Sequence, residues 1–90
     1  MGTVKTANQI TVKLLLFAQL RDRFGQSELR MSLPRGASGR DLITRLIGQQ
    51  PSLKPLLEVS RLAVNCEYTS FDEVLQEGDE VVMIPPVSGG

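Results

Sequence analysis

Leu42, Ile43, Leu46 and Ile47 make one apolar stripe at helical spacing, and almost everything around them alternates instead. A chain with one substantial helix among several strands has few ways to hide both. Ser38 predicts the N-cap of that helix, with Asp41 three residues on, where its charge favours the helix dipole. Gly48 and Pro51 predict its end. Before it, Ile10 to Phe17 alternates: Ile10, Val12, Leu14 and Leu16 share one face, while Thr11, Lys13, Leu15 and Phe17 share the other. Ala18 to Gly25 predicts a short helical turn. Glu28 to Leu33 predicts a second strand with Leu29, Met31 and Leu33 on one side, broken by Pro34-Arg35-Gly36.

After the helix, Ser52 to Ser60 predicts a helical turn under a sheet. Arg61 to Asn65 predicts a third strand with Leu62 and Val64 on one face, and Tyr68 to Ser70 one more short strand. Phe71 to Leu75 predicts a turn, and Glu77-Gly78-Asp79-Glu80 a tight turn into the last strand, Val81 to Ile84. Pro85 cannot donate to a ladder, so pairing should stop there.

The cheapest burial lays the helix across one face of a mixed sheet. The first and last strands then run side by side and parallel, with the other pairs antiparallel. The expected fold class is α+β, the β-grasp or ubiquitin-like architecture. Residues 1–9 are expected to form a loose tail, residues 10–84 one domain, and residues 85–90 an extended C-terminal tail.

Ninety residues, 41% hydrophobic, are enough for a single core without metal or disulfide. The one cysteine, Cys66, cannot form an internal disulfide, which favours a reducing compartment, the cytoplasm. With no histidine the chain lacks the commonest general base and metal ligand. No clustered carboxylates point to a metal. The glycines do not form a phosphate-loop spacing. The arginines are not interleaved with aromatics, so nucleic-acid binding has little support. The apolar run Leu14 to Ala18 is too short to span a bilayer.

Charge is uneven along the chain. Residues 1–54 hold nine Lys/Arg against three Asp/Glu, and residues 55–90 hold one against seven. A solvated surface explains this. The functional alternative is that Asp72, Glu73, Glu77, Asp79 and Glu80 guide the tail toward a basic partner.

The sequence ends Ile84-Pro85-Pro86-Val87-Ser88-Gly89-Gly90. With glycine at about 7% of average composition, a pair at two fixed positions arises by chance in roughly 0.5% of chains. A frayed terminus is the plain reading. The functional one is a free carboxylate on a thread without side chains, stiffened by two prolines and following directly on an apolar strand.

Three segments resemble the molybdopterin synthase small-subunit family of ubiquitin-like sulfur carriers. They are Val12 through Arg21, then Ala63-Val64-Asn65 with Ser70-Phe71-Asp72, then Gly78 through Gly90. The Pro-Pro-Val-Ser-Gly-Gly ending is the most specific. The resemblance implies that Gly90 is the functional residue. An activating enzyme, a ubiquitin-activating-like adenylyltransferase, uses ATP to adenylate it. A sulfurtransferase then supplies the sulfur of a C-terminal thiocarboxylate. The large subunit receives the tail, threaded through Pro85, Pro86, Val87, Ser88 and Gly89, and moves sulfur onto a cyclic pterin precursor to build the dithiolene. The resemblance further implies two small and two large subunits in the complex, no cofactor or metal held directly by the carrier, and no turnover by the carrier alone. It also favours Leu15, Phe17, Tyr68 and Ile84 as a docking patch, for which side-chain parity alone leaves packing beneath a loop equally open. Cys66 has no evident neighbour to lower its pKa and reads as an incidental thiol. The alternatives are a carrier for thiamine, cysteine or tRNA thiolation, a protein modifier conjugated through Gly90, and an interaction module with an inert tail.

Overall fold

A computed structural model describes residues 8–86. Most of the expected N-terminal tail, residues 1–7, lies outside the described residues, as do Val87, Ser88, Gly89 and Gly90. Strand β1 spans Gln9–Leu16, helix α1 Ala18–Phe24, strand β2 Glu28–Pro34 and helix α2 Gly39–Gln49. A 3₁₀ turn over Pro51–Leu53 leads into helix α3, Lys54–Glu58. Strands β3 (Arg61–Val64), β4 (Glu67–Thr69) and β5 (Glu80–Ile84) complete the order. The sheet runs β2-β1-β5-β3-β4, with β1 and β5 parallel and the other pairs antiparallel. This is the expected β-grasp.

The first strand begins one residue earlier than its alternation indicated. Gln9 pairs with Pro34, and the Asn8 carbonyl accepts the Arg35 N–H at 2.7 Å. Alternation fixes which face is covered: Ile10, Val12, Leu14 and Leu16 are buried, with Met31 and Leu33 from β2, Leu62 from β3 and Val81 and Met83 from β5. Leu42, Ile43 and Leu46 of α2 close over them, with Leu53 and Leu57 sealing one side. Each fully buried aliphatic side chain contributes about 1.5–3 kcal/mol before chain entropy is offset.

The ends of α2 differ in how legible they were. Ser38 and Asp41 form a capping box: the Ser38 N–H donates to Asp41 Oδ2 at 2.8 Å, and the Ser38 side chain accepts from the Asp41 N–H. Gly48, expected to end the helix, lies inside it. Termination falls at Gln50, which precedes Pro51 and has ψ 83°, outside the helical range.

The hairpin between β3 and β4 was missed as a hairpin. Asn65 was expected to close β3, yet Asn65 and Cys66 are the two central residues of a tight turn, with φ 51° and 76°. Both are left-handed, as a type I′ turn requires. Asn suits the first position, but the second normally takes glycine, so the sequence signal was incomplete. A left-handed non-glycine residue costs about 1–2 kcal/mol, part of which glycine would return as unfolded-chain entropy. Cys66→Gly should therefore stabilise the fold by roughly 0.5–1 kcal/mol, raising Tm by about 2–8 °C. An unchanged or lower Tm in thermal denaturation would refute the turn assignment.

Candidate functional site

The helices cover one face of the sheet; the other is the candidate site. Register places its residues in rows. Leu15 of β1 stands opposite Val82 of β5, Val82 opposite Ala63 of β3, and Ala63 opposite Tyr68 of β4. Paired residues share a face, so these four form one apolar row across four strands. Leu15 and Val82 are half-buried, Ala63 is buried by its neighbours, and Tyr68 is 66% exposed.

Toward the tail the next level holds Ile84, opposite Arg61. Phe17 reaches that level differently from expectation. It was assigned to the first strand, but β1 ends at Leu16 and Phe17 is the N-cap of α1, in extended conformation. Ala18 then takes a left-handed φ of 50° and turns the chain into the helix. Helix α1 closes on Gly25, whose φ of 76° lets its N–H reach the Arg21 carbonyl at 2.8 Å. Phe17 stays 49% exposed.

β5 ends at Ile84, and Pro85 and Pro86, the last described residues, belong to no strand. Their φ angles are held near the extended range by their rings, which lowers the entropy lost when a tail is gripped. Val59, Arg61, Tyr68, Ile84, Pro85 and Pro86 line a groove of about 360 Å³ at this root.

The four expected docking residues thus lie on one face, in two adjacent levels. Val82, Ala63 and Arg61 belong to that face and were not singled out. Parity held the signal, since Val82 precedes Ile84 by two and Ala63 follows Arg61 by two.

Glu77, Asp79 and Glu80 gather where β5 begins, the end of that strand away from Pro85, so the guidance role is not supported by their placement. They hold turns instead. Glu77 accepts the Thr11 N–H at 2.9 Å, and Asp79 accepts the Gln76 N–H at 2.8 Å and the Asn65 side-chain amide at 2.9 Å. Asp72 pairs with Arg40 at 2.8 Å and Glu80 with Lys13 at 3.9 Å. Both pairs are solvent-exposed and worth little to stability.

Among the described residues no group of three or more His, Cys, Asp or Glu side chains converges as a metal site. No described helix is long and apolar enough to cross a membrane.

The sequence profile of the ThiS family matches residues 14–90. The molybdopterin synthase sulfur carrier subunit of Dictyostelium discoideum is 42% identical over 81 residues, covering 87% of this chain and 94% of that protein. The corresponding protein of Arabidopsis thaliana is 35% identical over 83 residues, covering 92% and 86%. Among solved structures, small archaeal modifier protein 1 from Haloferax volcanii superposes with a TM-score of 0.78 at 27% identity, covering 89% of this chain and 99% of that one. A protein–protein complex of subunits 1 and 2 of the molybdopterin-converting factor from Helicobacter pylori contains the same fold, with a TM-score of 0.63 at 21% identity over 90% of this chain and 100% of that one.

Proposed function

Because this chain belongs to the ThiS family, we propose that it is the sulfur carrier of a molybdopterin synthase, with the main-chain carbonyl of Gly90 as its reactive group. The observation that carries the proposal is the continuity of strand and tail. β5 is central in the sheet and is followed in sequence by Pro85, Pro86 and, four residues on from Pro86, Gly90, and the family match extends to residue 90.

The chemistry follows from what a carboxylate lacks. It is a poor electrophile, so a Gly90 oxygen first attacks the α-phosphorus of ATP on an adenylyltransferase, releasing pyrophosphate. The resulting acyl-adenylate is a mixed anhydride. The terminal sulfur of a cysteine persulfide on the sulfurtransferase attacks its carbonyl carbon and expels AMP, and a thiol then reduces the resulting acyl disulfide, releasing the thiocarboxylate and leaving the thiol and the sulfurtransferase cysteine joined as a disulfide. Glycine at both last positions lets enzyme backbone approach that carbon with no Cβ in the way. The large subunit, two copies with two of the carrier, receives the tail and passes the sulfur to the cyclic pterin precursor. ATP is a substrate of the activating enzyme, not a ligand of this chain. The setting is cytoplasmic.

The test is intact mass. Incubation with the adenylyltransferase, ATP and a sulfur donor should replace one oxygen by sulfur. No gain under conditions that load a known carrier defeats the proposal.

The open face is the docking surface in this reading. Leu15, Phe17, Tyr68 and Ile84 present apolar area beside the tail, and aromatic anchors of this kind dominate interface energetics. Phe17→Asp should weaken binding to the large subunit by about 10- to 100-fold. Its Tm should stay near that of the parent, since Phe17 lies outside the core. Unchanged affinity in a calorimetric titration would remove Phe17 from the interface.

A second reading draws on the similarity to the Haloferax modifier. Conjugation through Gly90 to lysines would appear as a ladder of higher-mass species in cell lysates. A dedicated carrier produces none.

A further inference from the structure

We infer that Arg61 is the anchor for a carboxylate side chain on the protein that receives the tail. The inference rests on the carrier reading above and specifies the chemistry of the partner at that same face. Arg61 opens β3 directly opposite Ile84, the last residue of β5. Its guanidinium lies over the Tyr68 ring, 5.7 Å from the centroid. Together they line the groove at the root of the tail, with Val59, Ile84, Pro85 and Pro86 as the other walls. Because Pro85 and Pro86 are themselves walls, a protein that closes on the residues after them also covers this groove.

Among the described residues, Arg61 is the only charged side chain lining that groove. Among the described residues no carboxylate lies within ion-pair distance of Arg61. Covering a guanidinium with an apolar surface and no counter-charge is strongly unfavourable. The Tyr68 ring interacts with the cation but does not satisfy the N–H edge of the guanidinium. That edge matches a carboxylate in a bidentate pair. A single cation ringed by apolar walls suits one Asp or Glu with an apolar neighbour. A nucleic-acid backbone would call for several cations side by side.

The experiment measures affinity for the molybdopterin synthase large subunit by calorimetry, at low and at moderate salt. Wild type is compared with Arg61→Met, Arg61→Lys and Arg61→Glu, each checked for an unchanged Tm. Arg61→Met should lose about tenfold or more, and Arg61→Glu should lose more, as expected when one member of a covered charge pair is removed or reversed. Arg61→Lys should fall between wild type and Arg61→Met, since the charge stays but the planar fork does not. The salt dependence of wild type should exceed that of Arg61→Met. Arg61→Met binding as wild type does would overturn the inference, even if Arg61→Glu is weakened, because repulsion alone does not require a carboxylate. A wild-type chain that takes up sulfur and binds the large subunit, yet is indifferent to Arg61→Met, sinks this inference and leaves the carrier function standing. A wild-type chain that never takes up sulfur removes both.

Discussion

Deleting Gly90 should reduce sulfur loading by at least about 100-fold, because the reacting carbon is then withdrawn by one residue, roughly 3.3 Å, from where the activating enzyme expects it. Adding one uncleaved residue after Gly90 should be as severe for a different reason. The Gly90 carbonyl then becomes an amide, with no ionised oxygen to attack ATP. Gly90→Val should also fail, since a β-branched side chain stands where enzyme backbone must approach. None of these changes should move the Tm, because the residue lies six positions beyond Ile84, where the last strand ends. Intact mass reads the outcome directly. If a shortened or extended chain still gains sulfur, the reactive group is not the Gly90 carbonyl.

The second large effect is on stability and lies at Gly39. This residue opens α2 and is buried. A Cβ added there would collide with Leu62 Cδ2 and press on the Phe71 backbone, at 3.3 Å from its oxygen and 3.4 Å from its Cα. Neither neighbour can easily move. Leu62 is 1% exposed in the core, and Phe71 is tied down by the Arg40 N–H on its carbonyl at 2.8 Å. The Gly39 N–H itself donates to the Glu73 carbonyl at 3.1 Å, so α2 and the segment after β4 are pinned together at this point. Gly39→Val should cost about 3 kcal/mol through overpacking. At roughly 4–8 °C per kcal/mol for a domain of this size, Tm should fall by more than about 10 °C. Gly48→Ala is the matched control. It sits in the same helix with nothing within 4 Å of an added Cβ. It should stabilise by up to about 1 kcal/mol through helix propensity. A Gly39→Val chain that melts with the parent would mean the approach of helix to loop is looser than its geometry.

The two glycines illustrate what could be read from the chain. Gly48 follows an apolar stripe and so reads as a helix end, yet it is an ordinary helical residue. Gly39 looked like nothing, because its constraint comes from Leu62 and Phe71, more than twenty positions away. The Asn65-Cys66 turn was hidden for a local reason: cysteine occupies a position where glycine is the recognisable signal. The acidic residues show a third case. Their run in the sequence invited a role beside the tail, but β5 carries the tail to the opposite end from the turn those residues build.

Alternation in β1 and β2, the helical stripe in α2 and its Ser38–Asp41 cap were all written in neighbouring residues, and so was the terminal Gly-Gly. Backbone periodicity is a property of a few consecutive positions, so the sequence by itself determined most of the elements and their buried faces. Tertiary structure alone decided that Leu15, Val82, Ala63 and Tyr68 stand in one row, that Arg61 rests on Tyr68 beside the tail, and that Gly39 has no room for a methyl. Those facts depend on register between strands distant in the chain, and register is set by how whole faces pack together.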